Sequence, residues 1–278
     1  FYSSANLVDW SFESAFGATE GFHSDAPWEC PDLVELSTPD GETAWMLCVG
    51  VASGAPWGGT GTQYFIGDFD GRRFVNRNSA DAVHWADWGH DFYAAQSFSR
   101  SDGGDAVWMA WASNWVYARQ TPTQAFRGAL THPRILSLRK GQDGLRLVQS
   151  LPDPLRSALP EVCLGDVSCP PACRCTFTLA PGEGLSLFGA ATPQLQNSVD
   201  GRRLIVNRSE AWAEGVAPGF SGSHAVLDGE GPLRGEVYLD HGILEICLED
   251  GGLWITELSF PERVDVAVAA DRDEREGV

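Results

Sequence analysis

The sequence predicts an all-β protein, and three observations carry that prediction. Nothing in the first 140 residues shows the apolar period of a long amphipathic helix. Short apolar runs rich in Trp, Phe, Tyr and Val recur instead, among them Ala44 to Val51, Gln63 to Ile66, Phe92 to Phe98 and Val107 to Ala112. Turn signals break them at Pro39-Asp40-Gly41, Asp70-Gly71 and Ser101 to Asp105. Short strands at regular spacing build a sandwich, a barrel or a propeller, and pattern alone leaves the three open.

In chain order, the clearest hairpin is Asp68-Phe69-Asp70-Gly71, where Asp-Gly between Ile66 and Phe74 suits a primed turn with positive φ. Its carboxylates are turn formers first. Composition then shifts, with nine of the eleven tryptophans before residue 141 and five of the seven cysteines after it. Lys140-Gly141-Gln142-Asp143-Gly144 reads as a turn and Leu151-Pro152-Asp153-Pro154-Leu155 as an extended linker. A division near residue 150 follows, giving domains 1–150 and 151–278.

The second part is drier of aromatics but again strand-like. Thr176 to Leu179, Leu185 to Phe188, Arg203 to Val206, Glu236 to Leu239, Ile243 to Leu248 and Trp254 to Leu258 are strand candidates, with turns at Asp200-Gly201 and Asp250-Gly251-Gly252. Six or more such strands make a β-sandwich. After Val266 the chain runs into an acidic, solvated tail.

Charge excludes some partners. The 38 acidic against 19 basic residues leave a net charge of -19, which repels phosphate backbones and anionic lipid surfaces, so neither nucleic acid nor membrane is expected as a partner. No stretch approaches the roughly 18 to 20 apolar residues of a spanning helix. The chain opens on Phe1 without a signal-peptide pattern, as a processed product or a piece would. Cys163, Cys169, Cys173 and Cys175 crowd into thirteen residues. Their spacing fits no zinc pattern and no His lies near, so one or two disulfides pinning a loop in a secreted protein are expected rather than a metal, with free thiols as the alternative. Asn207-Arg208-Ser209 is a glycosylation sequon.

Chemistry centres on Trp28-Glu29-Cys30-Pro31-Asp32. An indole, a thiol and a φ-fixed proline around Glu29 would hold its carboxyl stiffly in a partly apolar site, where desolvation favours the protonated form that a proton donor needs. From spacing alone the plainer reading is a surface residue before an ordinary turn. Cys30 is expected as a small buried neighbour, since no His suited to activating it is identifiable beside it.

WECPDL from Trp28 resembles the acid/base motif of glycoside hydrolase family 32, the invertases, inulinases and levanases. Three further stretches resemble that family in its own order: TQYFIGDFDG from Thr62, DFYAAQSF from Asp91, and MAWASNW from Met109 running on to FRGALTHPRILSL from Phe126. RGEVYLDHGILEICLEDGGLWITELSFP resembles its closing sandwich segment. The resemblance implies part of a five-bladed β-propeller followed by a C-terminal β-sandwich, with about three blades in residues 1–150.

The activity it implies is retaining hydrolysis of β-fructosides, of the exo-inulinase or levanase kind, with sucrose as a side substrate and no cofactor. Glu29 takes the acid/base role. Trp115 matches the position whose indole lines the fructose subsite, and core packing is its alternative. Trp57, in a Gly-rich loop, is a rim candidate, and Asp91 a blade organiser with a weaker claim on substrate. Asp68 and Asp70 are at most rim contacts for sugar.

The sequence also departs from the family. The W-M-N-D-P-N-G motif with the nucleophilic Asp and the R-D-P motif with the stabilising Asp are both absent. Asp32 belongs to the Glu29 loop and Asp91 opens a strand, so neither replaces them. Three explanations stand: a separate chain carrying the first blades and both aspartates, a sequence lacking its front, or a fragment that binds fructan or another protein without catalysis.

Overall fold

The computed structural model describes residues 1–98, 104–141, 143–162, 169–187, 195–197, 203–208, 220, 223–226, 231–260 and 266–270. The turn at Ser101, the turn at Asp200-Gly201, Cys163, Ser209 of the sequon and the acidic tail lie outside them.

The chain is all-β. Trp28–Ser37, Thr43–Val51, Gly61–Phe69 and Phe74–Asn76 pair in that order as an antiparallel sheet, with His84–Trp85 added to the third strand. Tyr93–Ser97, Ala106–Trp111, Arg134–Gly141 and Gly144–Ser150 form a second sheet in the same way. A ribbon of Tyr2–Ser3 and Ser11–Phe12 precedes them. The sequence predicted about three blades; the described residues before Ser150 make two full sheets and this ribbon, whose strands are two exposed residues each and too short to bury a blade face.

Alternation along the strands decides which residues go inside. Val34, Leu36, Met46, Cys48 and Ile66 on one face of the first sheet pack against Phe92, Ala95, Trp108, Leu136 and Leu147 of the second. On its other face Leu47, Val49, Phe65 and Phe74 form a separate cluster that Trp28 and Leu33 join. Trp28–Ser37, expected as a loop, is a ten-residue strand because Leu33, Val34 and Leu36 keep the alternation and a bulge absorbs Pro31. The Asp70-Gly71 turn forms as expected: Asp70 Oδ1 accepts the Arg72 and Arg73 N–H groups at 2.8 and 2.7 Å, and Gly71 has a φ of 90°.

The expected extended linker is a short helix, Asp153–Ala158. Pro152 caps it and Pro154 sits in its first turn, where a fixed φ near −65° suits a helix and the missing N–H costs nothing. Beyond it, Ala172–Leu179, Leu233–Asp240, Ile243–Leu248 and Leu253–Leu258 form one antiparallel sheet. A second follows the order Ser223–Val226, Arg203–Val206, Leu195–Asn197, Glu183–Leu187, Val266–Ala270. The two enclose one apolar core and make a sandwich. Cys173 and Cys175 are alternate inward residues of a strand and belong to that core. No two described cysteines are bonded to each other, and Cys163, the fourth member of the cluster expected to form the loop disulfides, lies outside the described residues. Burial pushes the Cys173 thiol up to about 12.

A buried polar seam joins the second sheet to the sandwich. Arg134, with no exposed surface, reaches Asp87 at 3.0 Å and Glu245 at 2.5 Å, and its guanidinium lies 4.1 Å from the Trp254 ring centre and 4.7 Å from that of Phe92. Burial opposes ionisation of Glu245, but Arg134 and His132 outweigh it and hold the carboxyl at about 2.

Candidate active site

The bulge is what aims Glu29. Glu29 pairs with Gly50 and Asp32 with Cys48, so Cys30 and Pro31 together stand opposite Val49 alone. One extra residue flips every side chain beyond it, and Glu29 therefore shares a face with Asp32, Val34 and Leu36 instead of with Leu33. That face looks toward the second sheet. Cys30 bears the backbone strain, at a φ of +47°.

The facing strand carries the same device. Tyr93 pairs with Trp111 and Gln96 with Met109, so Ala94 and Ala95 bulge opposite Ala110, and Ala94 has a φ of +51°. The two bulges bring the Tyr93 hydroxyl onto Glu29 Oε2 in a short hydrogen bond. Gln96 Nε2 donates to Cys30 O at 3.1 Å and Ser97 N to Asp32 Oδ2 at 2.7 Å, which locks the two strands in register. Gly50 is required here, since a methyl group on it would sit 2.8 Å from the Tyr93 ring. Tyr93 is 3% exposed, and burial followed by the Glu29 bond pushes its hydroxyl well above the ordinary tyrosine value, so it stays a donor.

Two sequence expectations about Glu29 change. Its carboxyl is exposed in this chain, not enclosed by Trp28 and Cys30. Trp28 points to the opposite face, with its indole N donating to Phe22 O at 2.9 Å and its ring stacked 4.5 Å from His23. Cys30 is exposed, not buried, because the bulge turns it outward.

Trp115 is 54% exposed and lies against Trp111 at 4.7 Å, and Trp111 in turn meets Tyr93 at 6.4 Å. An aromatic line thus runs from the partner of Glu29 to an open indole face. Beside Trp115, Asn114 is buried and donates to Gly58 O, Thr60 O and His90 O, pinning the Gly-rich loop of residues 54–59. Trp57 is half-buried in that loop and donates to Trp88 O at 2.7 Å, a bond that anchors the loop to its neighbour.

Asp91 stands apart from this group. It is fully buried, accepts from Tyr117 Oη at 2.5 Å, Arg208 at 2.8 Å and Leu258 N at 2.7 Å, and ties the second sheet to the sandwich. Asp68 is held by Arg77 at 2.5 Å on the hairpin. The sequence reading missed Tyr93, Trp111 and Gly50. Tyr93 lies two residues after Asp91 inside a stretch already singled out, but its role depends on a bulge that no residue pattern announces.

Residues 1–150 match the family model of the glycosyl hydrolases family 32 N-terminal domain. The chain is 34% identical to a levanase of Bacillus subtilis (strain 168) over 94% of its own length and 43% of that protein's. It is 39% identical to an extracellular exo-inulinase of Aspergillus awamori over 53% of this chain and 29% of the relative. Superposed on the crystal structure of exo-inulinase from Aspergillus awamori, it gives a TM-score of 0.80 at 26% identity, covering 97% of this chain and 58% of that one. The chain therefore spans less than two thirds of the proteins it matches.

Proposed function

Because the chain belongs to glycosyl hydrolases family 32, we propose that it is the acid/base-bearing part of a retaining β-fructosidase, dividing near residue 150 into propeller and sandwich domains. The observation that carries this is Glu29, held by Tyr93 across two matched bulges beside an exposed tryptophan. A levanase and an exo-inulinase among the relatives support fructans as substrates, with sucrose as a side substrate. The exo-inulinase described as extracellular supports work outside the cell.

Retaining hydrolysis needs two carboxyls about 5 to 5.5 Å apart. Glu29 donates its proton to the glycosidic oxygen as the bond from C2 breaks, while a second carboxylate bonds to C2. Glu29, now ionised, then takes a proton from the water that attacks C2 and releases fructose. Tyr93 occupies Oε2, which leaves Oε1 to carry the travelling proton. Trp115 offers a flat apolar face to the furanose ring. The nucleophile comes from polypeptide outside these 278 residues, in the same protein or a docked chain.

The test is release of fructose from inulin, levan and sucrose, with intact mass spectrometry of the active species. Hydrolysis by a species that contains further polypeptide supports the reading. A complete active-site assembly that binds fructan and never cleaves it overturns it.

A further inference from the structure

Two residues of the facing strands hold left-handed backbone without being glycine, Cys30 at a φ of +47° and Ala94 at +51°. At Cys30 the sequence closes off the alternative. One kind of bulge places its first residue near the right-handed helical region, and the ring of Pro31 disfavours that region for the residue before it. The other kind uses the left-handed region and is ordinarily built on glycine. Cys30 adopts the second with a side chain in place, a conformation that persists only where the surroundings impose it. Gln96 is placed to impose it. The bulge at Ala94 and Ala95 puts Gln96 on the face of Tyr93, and its Nε2 donates to Cys30 O at 3.1 Å and to Ala95 O at 2.8 Å. One amide thus engages both bulges.

We propose that Gln96 is a positioning residue for the acid: its amide holds the strained Cys30 peptide and so sets where the Glu29 carboxyl meets the glycosidic oxygen. The inference rests on the hydrolase reading. Tyr93 fixes the carboxyl end of Glu29 through Oε2, while Gln96 fixes its backbone end through the carbonyl of the next residue. Both reach across from one strand. Ser97 N, which donates to Asp32 Oδ2 at 2.7 Å, anchors the far side of the bulge, so Cys30 and Pro31 lie between two held points. Without the amide, Cys30 relaxes toward extended backbone, since Pro31 disfavours the helical alternative. That rotation about its N–Cα bond swings the Glu29–Cys30 peptide relative to the anchored Asp32, and the carboxyl moves with it. Gln96 acts through Glu29 and carries no proton itself.

The experiment uses the complete active protein with Gln96→Met, which keeps the length of this exposed side chain and removes the donor, and separately Gln96→Lys, which keeps one. Gln96→Met is expected to lower kcat on sucrose about tenfold with KM within about twofold. On an aryl fructoside, whose leaving group needs no proton, its kcat should fall by about twofold or less. Gln96→Lys should regain most of the loss on sucrose. In a Cys30→Gly background, where left-handed backbone meets no side-chain clash, the effect of Gln96→Met should shrink to about threefold or less. Equal losses on the two substrates, an undiminished loss beside Cys30→Gly, or an unchanged kcat on sucrose each overturn the positioning role, while fructose release by the parent keeps the hydrolase reading intact. A parent that cleaves neither substrate sinks that reading, and the role of Gln96 with it.

Discussion

Glu29 and Asp91 flank the same pair of packed sheets, yet their surroundings are opposite. Glu29 is exposed and takes one hydrogen bond, from Tyr93. Asp91 is sealed from solvent and takes three donors, one of them the Arg208 guanidinium, which also pairs with Glu257 at 2.9 Å. A carboxylate saturated by donors and a fixed cation cannot exchange a proton without losing its partners, so it serves as a joint. One with a free oxygen and a single neutral donor can gain and lose a proton within the same geometry. The number and charge of partners, more than the carboxylate itself, separate the chemical site from the structural seam.

The sharpest way to break this contrast is to neutralise each kind of carboxyl. Glu29→Gln in the active protein should lower turnover of inulin by about two to four orders of magnitude with fructan binding near normal, measured by fructose release and calorimetry. Unchanged turnover would remove Glu29 from the acid role. Glu245→Gln in the seam should cost about 3 to 5 kcal/mol of stability, since it leaves the buried Arg134 with Asp87 as its one carboxylate partner among the described residues, and denaturant unfolding reads it. A loss below about 1 kcal/mol would mean that the seam does not join the two parts.

Tyr93→Phe sharpens the contrast on the catalytic side. It removes the one donor to Glu29 and should lower kcat about ten- to hundredfold on sucrose, but much less on an aryl fructoside whose leaving group needs no proton. Equal losses on both substrates would reduce Tyr93 to packing. Gly50→Ala, which crowds the same ring, should reproduce part of the defect.

The seam also predicts a pH window. Glu245 is lowered from 4.5 to about 2, so its contribution is present above about pH 4.5 and is lost as pH falls toward 2. Burial works against a charged His132, but Glu245 outweighs it and raises the imidazole from 6.5. Its contribution is therefore present below about pH 6.5 and fades as pH rises through the raised value. Melting temperature should peak between these limits, and His132→Gln should flatten the alkaline side and weaken the acid side, since His132 is one of the two groups that lower Glu245. The smallest effect belongs to Asp68→Asn, which breaks an exposed pair with Arg77 and should change stability by about 1 kcal/mol or less.

Much of this was legible in the residues. Apolar runs and Asp-Gly turns marked the strands, and WECPDL marked Glu29, because local chemistry carries those signals. Other features depend on partners far along the chain. Arg134 looks like one more surface arginine until Glu245, 111 positions away, is folded onto it. Trp28 adjoins Glu29 in sequence yet faces the other way, since consecutive residues of a strand point to opposite faces. The proline-rich stretch after residue 150 misled in the same manner: proline disfavours the middle of a helix but suits its start.

The extra residue at Cys30 and Pro31 also fixes how this protein tolerates change. Deleting either would mend the ladder with the neighbouring strand and relieve an unfavourable backbone angle, so by any measure of regularity the sheet would improve. Glu29 would still stand opposite Gly50, on the face of Asp32 and Val34, but it would lose the local twist and bend with which the bulge aims it at Tyr93. A length change of one here alters the aim of the acid and not its face, and a trimmed variant can fold better than its parent and still be silent.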